Sequence, residues 1–442
     1  MDSVTFDSIA NTYANDVDEV NYMKEEHTRS LIDISLLSFG YAFVFIFLLF
    51  ENPLETLIPS LTYFDEFLFF FLICTALLKM KFDPTIVASE ELRIVLACAL
   101  IILTGLIGNW ISGYQTSMIV IVKDITAFLK FPLSVIAMLQ LIRNVDTRDI
   151  IYMCSIVGSI FIVVSFFIGI ANTISPIDAM THDFRNGIWS FKFIYSHPTF
   201  LVYALVMCLV MNSARNKKFN IIKLMCIITM VLTMRDKALG FVGFYIAMHI
   251  LKIGKRRRIL FKLLVAGAIV LVIVFPKVTT YMSYSNSPRQ ALYSASLAIA
   301  SGFFPLGSGF STIACSLSSG EHYSKAYFIY GMSDMKGLDP VYPTAVGDAG
   351  LAYYLGEFGI IGIAFMAIIM FYIYRVLVKR LSLGSARRGA ILLLFGYIFI
   401  ALTVEAVLTN ATGVMSAIVF SYIASIPKAR YDTGGCYVTR SR

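Results

Sequence analysis

The sequence predicts an all-α, polytopic integral membrane protein of about twelve transmembrane helices, both termini cytoplasmic, with a large extracytoplasmic loop between helices 9 and 10. Three observations lead there. Of the 442 residues 58% are hydrophobic and 14% charged, with a mean hydropathy of +0.77. Such a composition suits a bilayer as solvent and excludes an ordinary soluble domain. Apolar runs approaching the roughly 20 residues needed to span a bilayer recur along the chain. Finally, Lys and Arg gather in every second connection between those runs, as expected on the cytoplasmic side.

Taken in order, residues 1–30 form a polar tail with Asp16, Asp18, Glu19, Glu25 and Glu26. The tail lacks the basic start and early apolar core of a cleavable signal peptide, so the run from Leu31 reads as a retained first span. The runs lie near 31–50, 61–79, 92–110, 118–142, 150–171, 198–212, 219–234, 237–252, 259–276, 347–374, 389–408 and 412–427. Residues 31–427 thus form one transmembrane domain, followed by a second cytoplasmic tail at 428–442. The sixth to eighth runs are the shortest, and Met234 to Ala238 leaves almost no loop between two of them.

Charge orients these runs. Lys79, Lys81 and Arg93 flank the second connection, Arg143 and Arg148 the fourth, and Arg215, Lys217 and Lys218 the sixth. Lys252, Lys255 and Arg256 to Arg258 mark the eighth, and Arg375, Lys379, Arg380, Arg387 and Arg388 the tenth. The first and third connections carry neither Lys nor Arg, which places both termini inside. The formal net charge of +8 is therefore an orienting signal rather than a nucleic-acid footprint. Cys74, Cys98, Cys154, Cys208 and Cys226 fall in apolar runs, Cys436 in the tail and Cys315 in a polar loop, without Cys-x-x-Cys spacing or a disulfide framework.

Two outward connections stand apart in length, 172–197 and 278–346, and these are the segments expected to form the site. The longer is rich in Ser, Gly, Tyr and Pro and reads as a solvated loop, with Pro288-Arg289-Gln290 followed by Pro305-Leu306-Gly307-Ser308-Gly309.

An ionisable residue inside a span costs about 2.5–3.5 kcal/mol on insertion scales, so it normally faces protein or a watery cavity. Lys123, Asp124 and Lys130 interrupt the fourth run. The two lysines, seven residues apart, share a helical face and either line a cavity or form structural ion pairs, while Asp124 diverges toward a partner elsewhere. Arg235, Asp236 and Lys237 mark an outward junction, Glu357 lies roughly 13 Å below the outer edge of the tenth span, and Glu405 sits near the outer end of the eleventh. Arg185-Asn186-Gly187 precedes His197-Pro198 at the mouth of the sixth span. With Arg235 and Arg289, three arginines then lie outward where positive charge is otherwise scarce. Guanidinium suits bidentate binding of phosphate oxygens, so an anionic, phosphorylated ligand is expected.

Arg185 with Gly187, His197-Pro198 opening a span, Thr233-Met234-Arg235 closing one, Arg289 and Pro305 to Gly309 together resemble the O-antigen polymerase and ligase superfamily (Wzy-type). Gly356-Glu357-Phe358-Gly359 followed by Ile360-Ile361-Gly362 is similar to that family's Gly-Glu-x-Gly segment. The resemblance covers about Asn172 to Phe365 and the overall topology, with one departure at Met234, where many members carry Ser.

The resemblance implies a multi-pass protein of the bacterial inner membrane. It would transfer oligosaccharide repeat units from undecaprenyl diphosphate to a sugar hydroxyl of a second lipid-linked chain, without metal or cofactor. Arginines would stabilise the charge developing on the departing diphosphate. The implied catalytic set is Arg289, Arg185, His322 and Glu357, with Arg235, His197, Lys123, Lys130 and Asp348 binding substrate. His322, Asp348 and Glu357 are the candidate general bases. Asp16-Val-Asp18 looks like a metal-binding Asp-x-Asp but falls in the acidic tail. Partners would be the lipid-linked glycan and the bilayer, with room for a chain-length regulator, and no nucleic acid. A ligase passing polymer to a lipid A core is the alternative within the family, and a lipid-glycan flippase the alternative outside it. A transporter of this size predicts two related halves, and no internal repeat stands out.

Overall fold

A computed structural model describes residues 36–82, 89–143, 145–185, 187–216, 218–250, 287–379, 381 and 385–425. The two tails and the ninth apolar run lie outside the described residues.

The fold is mostly helical. Helices α1 (Leu36–Leu49), α2 (Glu51–Leu57), α3 (Phe64–Phe82), α4 (Ser89–Ser112), α5 (Met118–Leu141) and α6 (Arg148–Ile174) precede a two-stranded hairpin, β1 (Thr181–Arg185) and β2 (Ile188–Phe191). Then come α7 (Pro198–Arg215), α8 (Ile221–Leu232), α9 (Asp236–Ile250), α10 (Pro288–Gly302), α11 (Lys325–Ile329), α12 (Gly350–Val378), α13 (Ala386–Leu402) and α14 (Ala411–Ala424). Each expected span within the described residues is occupied by helix. Five stretches, Pro59–Lys81, α4, α6, α7 and α12, are long and apolar enough to cross a membrane, and α1 with α2, bent by 64°, makes a sixth by length and composition.

Solvent chemistry explains the side-chain pattern. Phe67, Phe70, Phe71, Leu96, Leu103, Phe167, Phe371 and Phe399 all face outward, a distribution that water would penalise and lipid would not. Inside, α7 is the hub: it packs against α6 and α13, and the stretch from Leu201 to Ala214 is buried throughout. Around it α14 lies on α5, α5 on α3, and α12 on α4.

The long segment before α12 departs from the solvated loop the sequence suggested. It contains α10, which lays Leu292, Ala295, Ser296 and Ile299 on α12, an apolar face at helical spacing. It then folds back into the bundle through Pro305 to Cys315, where Phe310 to Cys315 are all buried. The backbone of this loop is received by a break in α12. Gly359 leaves helical geometry at φ 63°, ψ −158°, and the amides of Ser308 and Gly309 donate to the Gly356 and Glu357 carbonyls at 2.9 and 2.8 Å. Neither partner tolerates a side chain: a Cβ on Gly307 would run into the Glu357 carbonyl, and one on Gly359 into that of Leu306. The Pro-Leu-Gly-Ser-Gly and Gly-Glu-Phe-Gly motifs are thus two halves of one backbone lock.

Candidate functional site: a cationic cluster at one end of the bundle

The connections after α6, α8, α11 and α13 meet the start of α10 at one end of the bundle. There the β hairpin brings charge together because residues two apart share a strand face. Asp183 and Arg185 are such a pair, and the Arg185 guanidinium donates to Asp183 Oδ2 through Nε at 2.8 Å and approaches it through Nη2 at 2.6 Å. Ser190, on β2, donates to the Thr233 carbonyl at 2.6 Å, tying the hairpin to the tight turn between α8 and α9. In that turn Met234 takes a left-handed conformation, φ 51°, and Arg235 follows with a largely buried side chain, 11% exposed. Its Nη2 donates to Asp183 Oδ1 at 2.8 Å and lies 3.2 Å from His182 Nδ1. One carboxylate therefore holds both guanidinium groups.

His182 also contacts Asp183, and its ring meets that of His197 edge-on with centroids 4.6 Å apart. His197 is the N-cap of α7, its Nδ1 accepting from the Thr199 amide at 3.2 Å. Burial first, then Arg235, His182, Lys237 and Arg185, push the His197 imidazole down to about 3. Burial, then Arg235, Lys192 and Arg185, also lower His182. Both rings are neutral near pH 7, which His197 needs in order to accept a hydrogen bond through Nδ1.

The cluster continues on the other side of Arg235. Lys237, buried in the first turn of α9, reaches Glu405 at 2.7 Å. Glu405 lies in the turn after α13 rather than within that helix. Arg289, in the first turn of α10, donates from Nε to the Asp348 carbonyl at 2.9 Å, with Nη2 3.8 Å from the Asp348 carboxylate. One helical turn on, Tyr293 donates to the Thr403 carbonyl at 2.9 Å, which fixes the start of α10 beside Glu405. Desolvation raises the Asp348 carboxyl against the pull of Arg289, with Glu405 adding and Lys237 opposing. Its side chain is nonetheless 53% exposed. Four cations, Arg185, Arg235, Lys237 and Arg289, thus face Asp183, Asp348 and Glu405.

Of the nine residues the resemblance implied as catalytic or substrate-binding, Arg185, Arg235, Arg289, His197 and Asp348 come together here, and Lys123, Lys130, Glu357 and His322 do not join them. Lys130 is buried in a pair with Asp65 at 2.7 Å and Glu66 at 2.6 Å. Lys123, two turns away on the same face of that helix, is exposed, so Asp65 and Glu66 of α3 cover the shared face at Lys130 and leave it open at Lys123. Glu357 is fully buried under the backbone lock, where it accepts from the Thr312 amide at 3.0 Å beside Asp124. Asp124 finds its partners far along the chain, in the Ser311 amide at 2.6 Å and the Tyr353 hydroxyl at 2.9 Å. His322 is half-buried, its carbonyl tied to Gln115 at 2.8 Å.

Sequence reasoning passed over His182 and Asp183. The available signal was the two-residue alternation in Thr181-His182-Asp183-Phe184-Arg185, with charge of opposite sign at 183 and 185 and a Gly at 187, where the hairpin turns with φ 88°. Pyrophosphate oxygens can displace the carboxylates from these guanidinium forks, since a phosphoryl group, like a carboxylate, presents two oxygens to the two parallel N–H donors. Searched against protein-family models and curated protein sequences, the chain matches none.

Proposed function

We propose that this protein is a membrane glycosyltransferase of the polysaccharide polymerase type. It transfers an oligosaccharide from a polyprenyl diphosphate to the sugar hydroxyl of a second lipid-linked glycan at the extracytoplasmic face of a bacterial plasma membrane. The observation that carries the reading is the convergence of Arg185, Arg235, Lys237 and Arg289 on one end of the bundle. The twelve-span topology is supported by the opposite end, where basic residues assigned to the cytoplasm anchor the helices. Lys79 donates to the Gln140 carbonyl, Lys379 pairs with Glu90, and Arg387 donates to the Ser425 carbonyl.

In this reading the acceptor oxygen attacks the anomeric carbon as the bond from that carbon to the diphosphate oxygen breaks. The electron pair leaves with the diphosphate, and arginines already held in place stabilise it more as its charge grows. Asp348 takes the hydroxyl proton. It is the one base candidate that is both carboxylate and accessible beside Arg289, whereas Glu357 is committed to the fold.

The test is surface glycan length in a strain deleted for the gene and complemented with Arg289→Lys, which keeps the charge and loses the fork. Single repeats on the acceptor are expected for both the deletion and the variant. Normal polymer length at normal expression of Arg289→Lys would overturn the arginine role. A bare acceptor with lipid-linked polymer accumulating would indicate a ligase instead, and lipid-linked units trapped inside the cell a flippase.

A further inference from the structure

Below the cationic cluster, three side chains from three segments converge where the proposed transfer reaction has no use for them. Asp124 comes from α5, Cys315 from the loop beyond the backbone lock, and Glu357 from α12; each is buried, and their ligand atoms lie within 4.8 Å of one another. Two carboxyl groups in such a place need compensation, because desolvating an unpaired carboxylate is among the most costly acts in folding. Among the described residues the groups facing them are neutral. They are the Ser311, Thr312 and Ile313 amides, the Tyr353 hydroxyl and the Cys315 thiol, and the two carboxyl groups also meet each other at hydrogen-bond range. One acceptor is left over: Glu357 Oε2 is buried without a hydrogen-bond donor.

We infer that Asp124, Cys315 and Glu357 form a structural zinc site that fastens the Gly307–Cys315 loop to α5 and α12. The donor set selects the metal. A thiolate with two carboxylate oxygens suits zinc, whereas magnesium and calcium take oxygen ligands and a near-complete oxygen shell. Tetrahedral zinc sets neighbouring ligand atoms about 3.4–3.7 Å apart, so side chains whose ligand atoms lie within 4.8 Å of one another need to close by at most about 1.4 Å, within the reach of χ rotations. The Ser311 hydroxyl, 3.5 Å from Cys315 Sγ, stands ready as a fourth ligand. On binding, the Cys315 thiol loses its proton to water. The two carboxylates offset the charge of the ion, and the surrounding amides and the Tyr353 hydroxyl face the remaining negative charge. The ligands come from segments up to 233 residues apart, between Asp124 and Glu357, so the ion would crosslink the bundle much as it does in small metal-stapled domains.

The experiment is independent of glycosyl transfer. Full-length protein, carrying an affinity tag without histidines and purified in mild detergent without chelators, is assayed for metals by mass spectrometry. About one zinc per chain is expected, falling below about a tenth in Cys315→Ser and in Glu357→Gln, while Arg289→Lys keeps its zinc. Cobalt exchanged into the wild-type protein should give a thiolate-to-metal absorption band that Cys315→Ser lacks. Wild-type protein with less than about a tenth of a zinc per chain and no such cobalt band would overturn the site. A protonated-carboxyl infrared band lost in Glu357→Gln would then assign the unpartnered oxygen to a proton.

Discussion

Arg185 and Arg235 end on opposite oxygens of Asp183, the first approaching at 2.6 Å and the second at 2.8 Å. Under the proposed function Asp183 is therefore either the residue that positions the forks or the anion that a diphosphate displaces. These roles differ in sign. Asp183→Asn keeps the shape and removes the charge, so displacement predicts tighter pyrophosphate binding, by about threefold to tenfold for a half-exposed carboxylate. Titration calorimetry on purified protein reads this directly. Weaker binding in the variant would assign Asp183 to positioning.

The two lysines of α5 separate fold from surface. Lys130 is 5% exposed and contacts two carboxylates, of which Asp65 is itself buried, while Lys123 faces outward. Removing one partner of a buried pair leaves the other charge unmatched, at a cost of about 3–5 kcal/mol. Lys130→Met is expected to lower the midpoint of thermal unfolding in detergent strongly, or to abolish accumulation, whereas Lys123→Met leaves both near wild type. Equal effects would mean that α5 is oriented differently in the bundle.

What was legible in the sequence follows from the range of the interactions involved. Spans such as Arg148–Ile174 and Gly350–Val378 are set by local hydropathy, and the sequence carries that signal in full. The α10 face was also local, with Leu292, Ala295, Ser296 and Ile299 at helical spacing, but small residues and nearby glycines made the stretch look like a solvated loop. Arg185, Arg235 and Arg289 could be assigned to one end by charge alternation. Their partners could not, because Asp183 with Arg235 and Lys237 with Glu405 join segments 52 and 168 residues apart. Glu357 illustrates the same limit: its place in an apolar run was readable, whereas its burial depends on a break at Gly359 that receives a loop from elsewhere.

The backbone lock makes a prediction without reference to activity. Gly307 lies against the Glu357 backbone, and Cys315, a few residues on, is buried. Gly307→Val has no room for its side chain and should lift the loop off α12. Cys315 would then react with a water-soluble maleimide in minutes rather than hours, as followed by peptide mass spectrometry, while Gly302→Ala, where a Cβ meets open space, leaves it protected. Protection of Cys315 in Gly307→Val would mean that the lock does not hold the loop.

Acid should loosen the cluster through its histidines. Folding drives His197 down to about 3 from its ordinary value near 6.5, and lowers His182 as well. Below pH 6.5 the unfolded chain therefore binds protons that the folded one refuses, so His197 makes stability rise with pH across the window from about 3 to 6.5, His182 adds to that slope below 6.5, and neither adds slope above it. His197→Asn removes the titrating ring yet can keep the α7 cap, since an Asn oxygen accepts from the same amide. Between pH 7.5 and pH 5 the unfolding midpoint of wild-type protein is expected to fall by several degrees more than that of His197→Asn, with the two nearly equal at pH 7.5. Parallel lines across the range would mean that His197 is as readily protonated in the folded protein as in the unfolded chain, and that Arg235 and Lys237 do not impose their charge on it.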